Sequence, residues 1–486
     1  ALASTGEQLL KESVVFTDFD SAKDFLEENE IPMVDLKWCD LYGKWHHVTL
    51  TAKAFTPEVM RDGIGFDGSS VGIKPVTAGD MILIPDLTTG FIDPFFEEPT
   101  LSFISDIYEA DSKLAFEHDP REFVRKADAY MKQTGIADQS LWGPEYEFFI
   151  FDEVSYSTRS NRSSYFVNSY EANWESNEDK NGYLVPVHKG YHRIAPSDQN
   201  QNLRNEICMV LEDLGYPVKY HHHEGSGPGQ NEIEPPLLDI VKSTDGTLMA
   251  KYVAKNLAYL YGKTITFMPK PLFGEAGNGM HFHQMLWKDG KNLFYHKGGY
   301  NNLSETALFY VGGILKHALA LCALTNPSTN SYKRLAPGYE APTSCFFGKG
   351  DRNAAVRSPK YATDPSEVRI EYRTPDATCN PYIAIPAMLL AGLDGILNKI
   401  DPREHNFGPF DEDVLKWPPE KLATIRKMPA NLNAALDELE RDHEFLFQGG
   451  VFSPQFIQTW VKNKHAEAND MAARPHPYEV ELYVDC

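Results

Sequence analysis

The sequence predicts an α+β protein made of a small β-rich N-terminal domain and a larger domain of mixed helices and strands. Three observations support this prediction. The chain has 486 residues, which is more than one ordinary hydrophobic core accommodates. Its first part carries short β-like runs, and long amphipathic helices appear only after residue 118. We therefore expect a first domain over residues 1–118 and a second over residues 119–486.

The first domain is rich in short strand-like segments from about residue 21 onward. Pro32 to Trp38 and Met81 to Pro85 are the clearest of these runs, and glycines and prolines separate them from their neighbours. Short runs of apolar and β-branched residues bounded by such breakers are typical of strands. This part of the chain is therefore predicted to be a small β domain.

Long segments of the second domain have the apolar spacing of amphipathic helices. The best are Pro120 to Thr134, Asn200 to Leu214, Gly246 to Tyr261, Ser304 to Leu324, Pro381 to Lys399 and Pro454 to Ala472. Strand-like segments alternate with them, which makes this domain α+β. The Pro-rich run from Asp401 to Pro419 is predicted to be a surface excursion between helices.

Composition and charge restrict the class of protein. Hydrophobic residues make up 42% of the chain and charged residues 24%, as in a folded globular protein. The formal net charge of -23 argues against nucleic acid or an anionic membrane as the main partner. The negative net charge does not exclude an ATP site, because nearby arginines and metal ions can make the local electrostatic potential positive.

The cysteines and the N-terminus indicate a cytoplasmic protein. Six cysteines are scattered without a CxxC pair, which favours reduced thiols. No apolar run approaches the ~20 residues that a membrane span needs. Residues 1–12 lack the basic start and the apolar core of a secretory signal, so none is expected there.

Charged residues recur at alternate positions in three strand-like segments. The residues are Glu145 and Glu147, His281 and His283, and Arg369, Glu371 and Arg373. In a strand, residues at this spacing share one face. A half-exposed antiparallel sheet gives the same pattern, so for any single segment a solvated face is the simpler interpretation. Three such segments with acids, histidines and arginines but no lysines favour a shared polar site.

A fourth segment, His221 to Glu232, joins two carboxylates through a Gly-rich loop and begins with three histidines, of which at most one is expected to contact a ligand. The candidate metal ligands are mostly carboxylates and include no thiolate: Glu145, Glu147, Glu224, Glu232, Glu371 and His281. This chemistry suits Mg²⁺ or Mn²⁺ rather than structural zinc, and the number of acids indicates two or more ions. Such clusters bind polyphosphate, with nearby arginines neutralising the transferred group.

Taken together, these segments resemble type I glutamine synthetase, the bacterial dodecameric class, from about Phe16 to Tyr483. The motifs that carry the resemblance occur in the family's order: Phe66 to Ser70, Gly143 to Phe148, His221 to Glu232, Phe267 to Pro271, Gly279 to His283, Asn326 to Pro342, Arg369 to Arg373, and Asn380 to Tyr382. Any one motif is suggestive, and all of them in this order are highly specific.

The resemblance implies a set of metal and substrate roles. One metal ion would be held by Glu147, Glu224 and Glu232, and a second by Glu145, His281 and Glu371. Glutamate would be bound by Arg334 and Arg373, with help from Gly277 and His281. The ATP phosphates would be faced by His283, Arg352 and Arg357. The ammonium pocket would be formed by Asp67, Ser70, Tyr191 and Glu224.

The resemblance also implies a reaction and an assembly. ATP would convert glutamate into γ-glutamyl phosphate, and ammonia would then displace phosphate to give glutamine. The residues implied in catalysis are Asp67, Glu340 on a closing loop, and Arg352. The implied fold is a β-grasp-like N-terminal domain beside a larger catalytic domain. Two hexameric rings would form a dodecamer, in which Asp67 completes the active site of a neighbouring subunit.

Some positions depart from the family pattern, and two other functions remain open. Ala276, Met285 and Lys219 stand where the family commonly has Asn, Ser and Glu. The leading alternative is a γ-glutamyl-amine ligase that uses an organic amine, but the complete anionic ammonium pocket favours ammonia. A catalytically silent relative is the second alternative; it would have lost metal ligands, and all six are present.

Overall fold

The computed structural model describes residues 13–71, 79–174, 181–339 and 341–486. Glu340 and the side chain of Ser70 lie outside the described part. The strands are β1 (Ser13–Val14), β2 (Met33–Cys39), β3 (Trp45–Thr51), β4 (Ile64–Asp67), β5 (Asp80–Pro85), β6 (Gly90–Ile92), β7 (Thr100–Glu109), β8 (Gln139–Pro144), β9 (Tyr146–Phe151), β10 (Glu153–Arg159), β11 (Arg162–Asn168), β12 (Tyr220–His223), β13 (Gln230–Glu234), β14 (Leu238–Asp239), β15 (Thr264–Thr266), β16 (Phe282–Lys288), β17 (Lys291–Asn292), β18 (Ser344–Gly348), β19 (Ala354–Arg357) and β20 (Ile370–Tyr372).

The α-helices include the predicted ones. They are α1 (Phe19–Glu28), α2 (Pro57–Asp62), α3 (Pro120–Thr134), α4 (Gln201–Asp213), α5 (Ile240–Leu260), α6 (Glu305–Lys316), α7 (Ala318–Thr325), α8 (Ser331–Arg334), α9 (Pro381–Leu397), α10 (Pro419–Leu422), α11 (Leu432–Arg441), α12 (Pro454–Ala472) and α13 (Pro477–Tyr483). The predicted bounds of α3 and α12 are confirmed, and those of α4 and α9 differ by at most two residues. Helix α5 begins six residues before the prediction.

The N-terminal part folds around one mixed sheet. Its strand order is β1-β6-β7-β2-β3, with β5 also beside β7 and β4 beside β5. Strands β2 and β7 are parallel, and the other pairs are antiparallel. Helix α1 begins at Asp18, whose side chain caps Ser21 N, and it buries Ala22 and Leu26 in the same core as Leu36 and Phe103. This confirms the predicted β-rich first part.

The second part contains two main sheets, which are joined through one residue. A four-stranded sheet has the order β12-β13-β9-β15, and a seven-stranded sheet has the order β14-β8-β16-β20-β19-β18, with β17 beside β16. Strand β8 lies in the second sheet and β9 in the first, so the chain crosses between them at Glu145. The Glu145 N–H donates to the carbonyl of His281 at 2.9 Å, which fixes the crossing point.

Buried charges join the N-terminal part to the rest of the chain. The guanidinium of Arg121, on α3, lies 2.8 Å from Asp106 and 3.2 Å from Asp86 of the N-terminal part. The same group lies 2.9 Å from Asp245 on α5. Arg121 is 2% exposed, so removing its charge would leave these carboxylates in the interior without their shared partner. The boundary between residues 118 and 119 stays a prediction.

One predicted helix is wrong. The segment from Ser304 to Leu324 was expected to be continuous, but it is divided into α6 and α7 by His317, and the two axes are bent by 72°. At the bend, His317 Nε2 lies 2.6 Å from Asp394 and Nδ1 lies 2.7 Å from Asp442. Its ring also stacks on Phe445. Apolar spacing alone could not show this break, because its cause is a contact with two distant carboxylates.

We expect this histidine to make stability depend on pH. Burial alone would lower the pKa of His317, but the bonds to Asp394 and Asp442 raise it above its usual value, and the pKa of Asp394 is lowered. The stabilisation is therefore complete below the unfolded histidine pKa of about 6.5 and is lost as pH rises through the higher folded pKa. Because the pKa of Asp394 is lowered, the stabilisation that this carboxylate contributes is lost only in acid.

The measurement is thermal unfolding of His317→Gln against the unmodified protein at several pH values. We expect the variant to be destabilised by about 2 kcal/mol at pH 6, and the difference to shrink toward pH 9. His296→Gln, at an exposed histidine, is the matched control and should show no such trend. A difference that grows with pH would contradict the protonated state assigned to His317.

The predicted surface excursion from Asp401 to Pro419 is partly wrong. The N–H of Phe347, on β18, donates to the carbonyl of Phe407, and Phe410 N–H donates back to the carbonyl of Phe347, each at 2.9 Å. Val414 is buried with Phe346 in a small core of its own. The segment therefore covers the edge of β18, which proline content alone did not indicate.

No single described helix is long and apolar enough to span a membrane. The bent pair α6 and α7 passes the same test of length and composition, but most of its residues are buried in the main core.

Candidate metal and substrate site

The predicted metal ligands lie where the two sheets of the second part meet. Glu145 occupies the crossing point between β8 and β9. Glu147, on β9, is directly opposite Glu232 on β13 in the antiparallel register. Glu371, on β20, faces His283 on β16 in the same way. Alternation along four strands thus directs these charged side chains toward one region, as the sequence predicts.

One group of ligand atoms matches the implied second ion. The nearest ligand atoms of Glu145, His281 and Glu371 all lie within 4.8 Å of one another. His281 Nδ1 is 2.8 Å from Glu145 Oε2 and 3.6 Å from Glu371 Oε1. This spacing fits three ligands arranged around one cation.

The other implied ligands form two overlapping groups. The first consists of Glu145, Glu147 and Glu232, and the second of His222, Glu224 and Glu232, each within 4.8 Å. Glu232 belongs to both, and it links Glu147 to Glu224. His222 Nε2 lies 2.9 Å from Glu232 Oε2. Of the three consecutive histidines, it is the one in a possible ligand group of the described residues.

The charges of these carboxylates affect one another strongly. Burial and then the charge of Glu224 raise the pKa of Glu147 to about 8. Burial and then the charge of Glu145 raise the pKa of Glu232 well above its usual range. For Glu145, burial alone would raise the pKa, but His281 and His283 lower it well below its usual range. A divalent cation would relieve this repulsion, so the residues fit a hard metal ion.

Beside the metal group, the backbone passes close to one buried arginine, Arg334. A Cβ added to Gly279 would lie 2.6 Å from Arg334 Nη2 and 2.8 Å from His281 Nε2. A Cβ added to Gly277 would lie 3.1 Å from Arg334 Cγ. The two glycines therefore let the chain pass close to both side chains. Arg334 donates to the carbonyls of Thr374 and Arg373 at 2.8 and 2.9 Å, which holds it in place.

A second arginine group lies on the other side of Glu371. Arg373 Nε donates to Glu371 Oε1 at 3.1 Å, and Arg357 Nη1 lies 3.9 Å from the same oxygen. Arg373 also donates to the carbonyl of Arg352. The Nε of Arg357 is buried and has no hydrogen-bond partner in the described part of the chain. Arg352 is exposed. Arg373 and Arg357 thus place positive charge next to Glu371.

The predicted ammonium-pocket residues are divided between the two parts of the chain. Tyr191 is 59% exposed and stacks on His192, which in turn contacts the ring of His222. Asp67 is exposed at the end of β4, in the N-terminal sheet, and accepts from Ser69 N at 2.9 Å. The structure therefore presents Asp67 on the surface of the smaller part.

Two residues of the site were missed by the sequence argument. Glu234 is buried and forms a possible ligand group with Glu145 and His283. It lies two residues after Glu232 on β13, so the spacing that revealed the other acids was also present here. Lys219, one of the departures, lies 3.7 Å from Glu234. Arg369 was noticed in its strand but received no role; its side chain is bonded to His283.

Both parts of the chain match models of one family. Residues 30–110 match the model described as glutamine synthetase, beta-Grasp domain. Residues 117–483 match the model described as glutamine synthetase, catalytic domain. These matches confirm the predicted fold, a small β-grasp N-terminal domain with a larger α+β catalytic domain.

Proteins of similar sequence or structure align with nearly the whole chain. The chain is 45% identical to a glutamine synthetase of Streptomyces coelicolor over 475 residues, covering 97% of this chain and 100% of that protein. It is also 44% identical to a 3-hydroxylaminophenol mutase of Cupriavidus pinatubonensis over 463 residues, covering 94% and 97%. A cryo-EM structure of Plasmodium falciparum glutamine synthetase is similar with a TM-score of 0.87 at 28% identity, covering 97% of this chain and 100% of that chain. The chain belongs to the glutamine synthetase family.

Proposed function

We propose that this site joins ammonia to the side-chain carboxylate of glutamate and that ATP drives the reaction. Family membership over both parts makes the chain a glutamate–ammonia ligase. The observation that carries the proposal is the ligand group of Glu145, His281 and Glu371, with Arg373 bonded to Glu371 and Arg334 close to His281 at Gly279. Such a site can bind a carboxylate substrate and a polyphosphate together.

Glu145, His281 and Glu371 would hold one divalent cation, Mg²⁺ or Mn²⁺. Glu147, Glu224 and Glu232 would hold another, and the overlap of the described groups at Glu232 supports two neighbouring ions. A bound cation of this kind neutralises the negative charge that spreads over a transferring phosphoryl group. The raised pKa values of Glu147 and Glu232 support the same assignment, because burial and then the neighbouring carboxylates destabilise the charged form of each group, and a cation would offset this.

The buried arginines would orient glutamate. Arg334 is anchored by two carbonyls beside Gly277 and Gly279, so its guanidinium can meet a carboxylate without large rearrangement. Arg373 lies beside Glu371, which places it next to the proposed cation. Together they would direct the γ-carboxylate of glutamate toward the phosphates and exclude water.

Arg352 and Arg357 would bind the phosphates of ATP. The unpartnered Nε of Arg357 supports this role, since a buried donor without an acceptor in the described part is matched by a ligand oxygen. An oxygen of the glutamate carboxylate attacks the γ-phosphorus, the bond to the ADP oxygen breaks, and γ-glutamyl phosphate forms. His283, which the resemblance implies for ATP, has both ring nitrogens bonded to protein groups.

The ammonium ion would bind in a pocket with negative and aromatic walls. Asp67, Ser70, Tyr191 and Glu224 are the proposed wall residues, and Glu340 would lie on the loop that closes the site. Asp67 would take a proton from ammonium, because only neutral ammonia is nucleophilic. The nitrogen then attacks the acyl carbon, the bond to the phosphate oxygen breaks, and glutamine and phosphate leave.

A dodecamer of two hexameric rings would complete the site by bringing Asp67 to a neighbouring subunit. Large apolar side chains on two exposed elements support an assembly. In the hairpin of β10 and β11, Tyr156 is 78% and Tyr165 61% exposed; near α13, Tyr483 is 60% and Val484 75% exposed. We also propose a cytoplasmic location, which the six free cysteines support.

Release of phosphate that depends on both ATP and glutamate tests the function, with ammonia, methylamine and a diamine compared side by side. We expect ammonia to give a kcat/KM at least about tenfold higher than either amine, because the small anionic pocket favours a compact cation. A higher value for an organic amine would instead establish the γ-glutamyl-amine ligase. No phosphate release with any acceptor would contradict the ligase.

A further inference from the structure

The environment of His283 differs from that of the other histidines in the site. It lies on β16, is 1% exposed, and is directly opposite Glu371. Its Nε2 lies 2.7 Å from Glu145 Oε1, and its Nδ1 lies 2.9 Å from Arg369 Nε. Both nitrogens are therefore bonded to charged side chains. The guanidinium of Arg369 needs an acceptor on the ring, whereas the carboxylate of Glu145 needs a donor.

Arg369 determines which nitrogen carries the ring proton. A guanidinium N–H can only donate, so His283 Nδ1 must accept. With Nδ1 accepting, Nε2 is the ring nitrogen that can donate to Glu145. A nitrogen that carries a proton has no lone pair for a metal ion, so His283 is unsuited to be a ligand although its spacing to His281 makes it look like one.

Arg369 is itself held in place away from the metal group. It is 2% exposed, and its Nη1 donates to the carbonyl of Glu367 at 2.9 Å and lies 3.3 Å from that residue's carboxylate. The guanidinium lies 5.8 Å from the centre of the Tyr361 ring. A buried arginine with these fixed partners keeps a constant direction for its Nε–H.

The N–H of His283 also assigns different roles to the two oxygens of Glu145. Oε1 accepts from His283, and Oε2 lies 2.8 Å from Nδ1 of His281, the histidine in the proposed ligand group. With Oε1 engaged, Oε2 is the oxygen left for a cation shared with His281 and Glu371. Glu145 would then bind through one oxygen, which leaves coordination positions open for substrate oxygens.

We propose that Arg369 and His283 are positioning residues for the metal ligand Glu145: Arg369 fixes the ring proton, and His283 directs one carboxylate oxygen to the ion. This proposal rests on the metal site proposed above. It goes beyond that site, because it separates two histidines two residues apart into a ligand, His281, and a supporting donor, His283.

Direct Mn²⁺ binding to the full-length protein tests the proposal independently of activity. His283→Leu removes the donor, and we expect one class of Mn²⁺ site to weaken by about 10- to 100-fold while the other class is unchanged. His283→Gln keeps an N–H near the position of Nε2, and we expect affinity close to that of the unmodified protein. Equal affinity in the leucine variant would overturn the proposal.

Electron-spin-echo spectroscopy of bound Mn²⁺, in protein with ¹⁵N-labelled histidine, distinguishes a ligand from a positioning residue. We expect His281→Gln to remove a histidine nitrogen coupling and His283→Gln to leave that coupling intact. Loss of a coupling in His283→Gln would show that its ring binds the ion, contrary to the proposal. Absence of Mn²⁺ binding by the unmodified protein would contradict the metal site itself.

A double-mutant comparison tests the role of Arg369. If Arg369 acts by fixing the ring proton, Arg369→Met should weaken Mn²⁺ binding when His283 is present. Without Arg369 the proton can move to Nδ1, and Nε2 then no longer donates to Glu145. Arg369→Met should have little further effect in His283→Gln, where no ring proton remains to be fixed. An equal loss in both backgrounds would show that Arg369 acts by another route.

Discussion

Replacing Glu371 with alanine is expected to reduce glutamine formation by at least about a hundredfold. Glu371 is one of three ligands in the proposed group with Glu145 and His281, and it is also the anion beside Arg373. Its loss would weaken one cation and leave Arg373 without its buried partner. The measurement is glutamine produced at saturating ATP, glutamate and ammonia over a range of Mg²⁺ concentrations.

The control for this variant must separate local chemistry from folding. Glu440→Ala, at an exposed position of α11, removes the same charge far from the site and should retain normal turnover. Sedimentation should show the same particle size for both variants, because Glu371 is buried within one chain. Near-normal turnover by Glu371→Ala at high Mg²⁺ would show that Glu371 is not a ligand.

Replacing Asp67 with alanine is expected to impair the use of ammonia far more than the binding of ATP. Asp67 is the proposed base, and loss of a general base lowers turnover by typically about 10²- to 10⁴-fold. Its position on the N-terminal sheet leaves the metal and arginine groups untouched. Steady-state kinetics with ammonia varied, together with equilibrium binding of ATP, checks this. A parallel loss of ATP affinity would contradict the role.

The position of Asp67 also allows a test of sharing between subunits. Mixed rings of Asp67→Ala and Arg373→Ala chains should recover about a quarter of normal activity, because that fraction of shared sites receives one intact residue from each chain. A mixture of Asp67→Ala with the double variant has no intact site and should stay inactive. If verified mixed rings recover nothing, each site is built within one chain.

The sequence predicts local features of this fold better than distant ones. Helices α3 and α12 have their predicted bounds because a Pro at the first turn and a regular apolar stripe mark them locally. The break at His317 depends on Asp394 and Asp442, which lie 77 and 125 residues away, so no local pattern shows it. The edge contact of Phe407 and Phe410 with β18 escaped prediction for the same reason.

Prediction of the site from the sequence is limited in the same way, because contacts between distant residues are not visible in a local pattern. Alternation predicts that Glu145 and Glu147, or His281 and His283, share a face. In the structure Glu145 and Glu147 belong to one possible ligand group, and both histidines contact Glu145. Alternation cannot distinguish a ligand from its support, because what sets His283 apart is its contact with Arg369, which lies 86 residues away in the sequence. Glu234 could have been found, since it continues the alternation of β13, whereas the opposition of Glu147 and Glu232 depends on strand register.

The crossing of the chain at Glu145 has a consequence for the lifetime of the protein. The acids beside it come from both sheets, with Glu147 and Glu232 on the four-stranded sheet and Glu371 on the seven-stranded one. A cation bound to such residues favours the state in which the sheets are joined, and at a hundred times its Kd this linkage amounts to about 2.7 kcal/mol. Depletion of divalent cations would therefore lower the free energy of unfolding, so that metal supply would affect resistance to proteolysis as well as turnover.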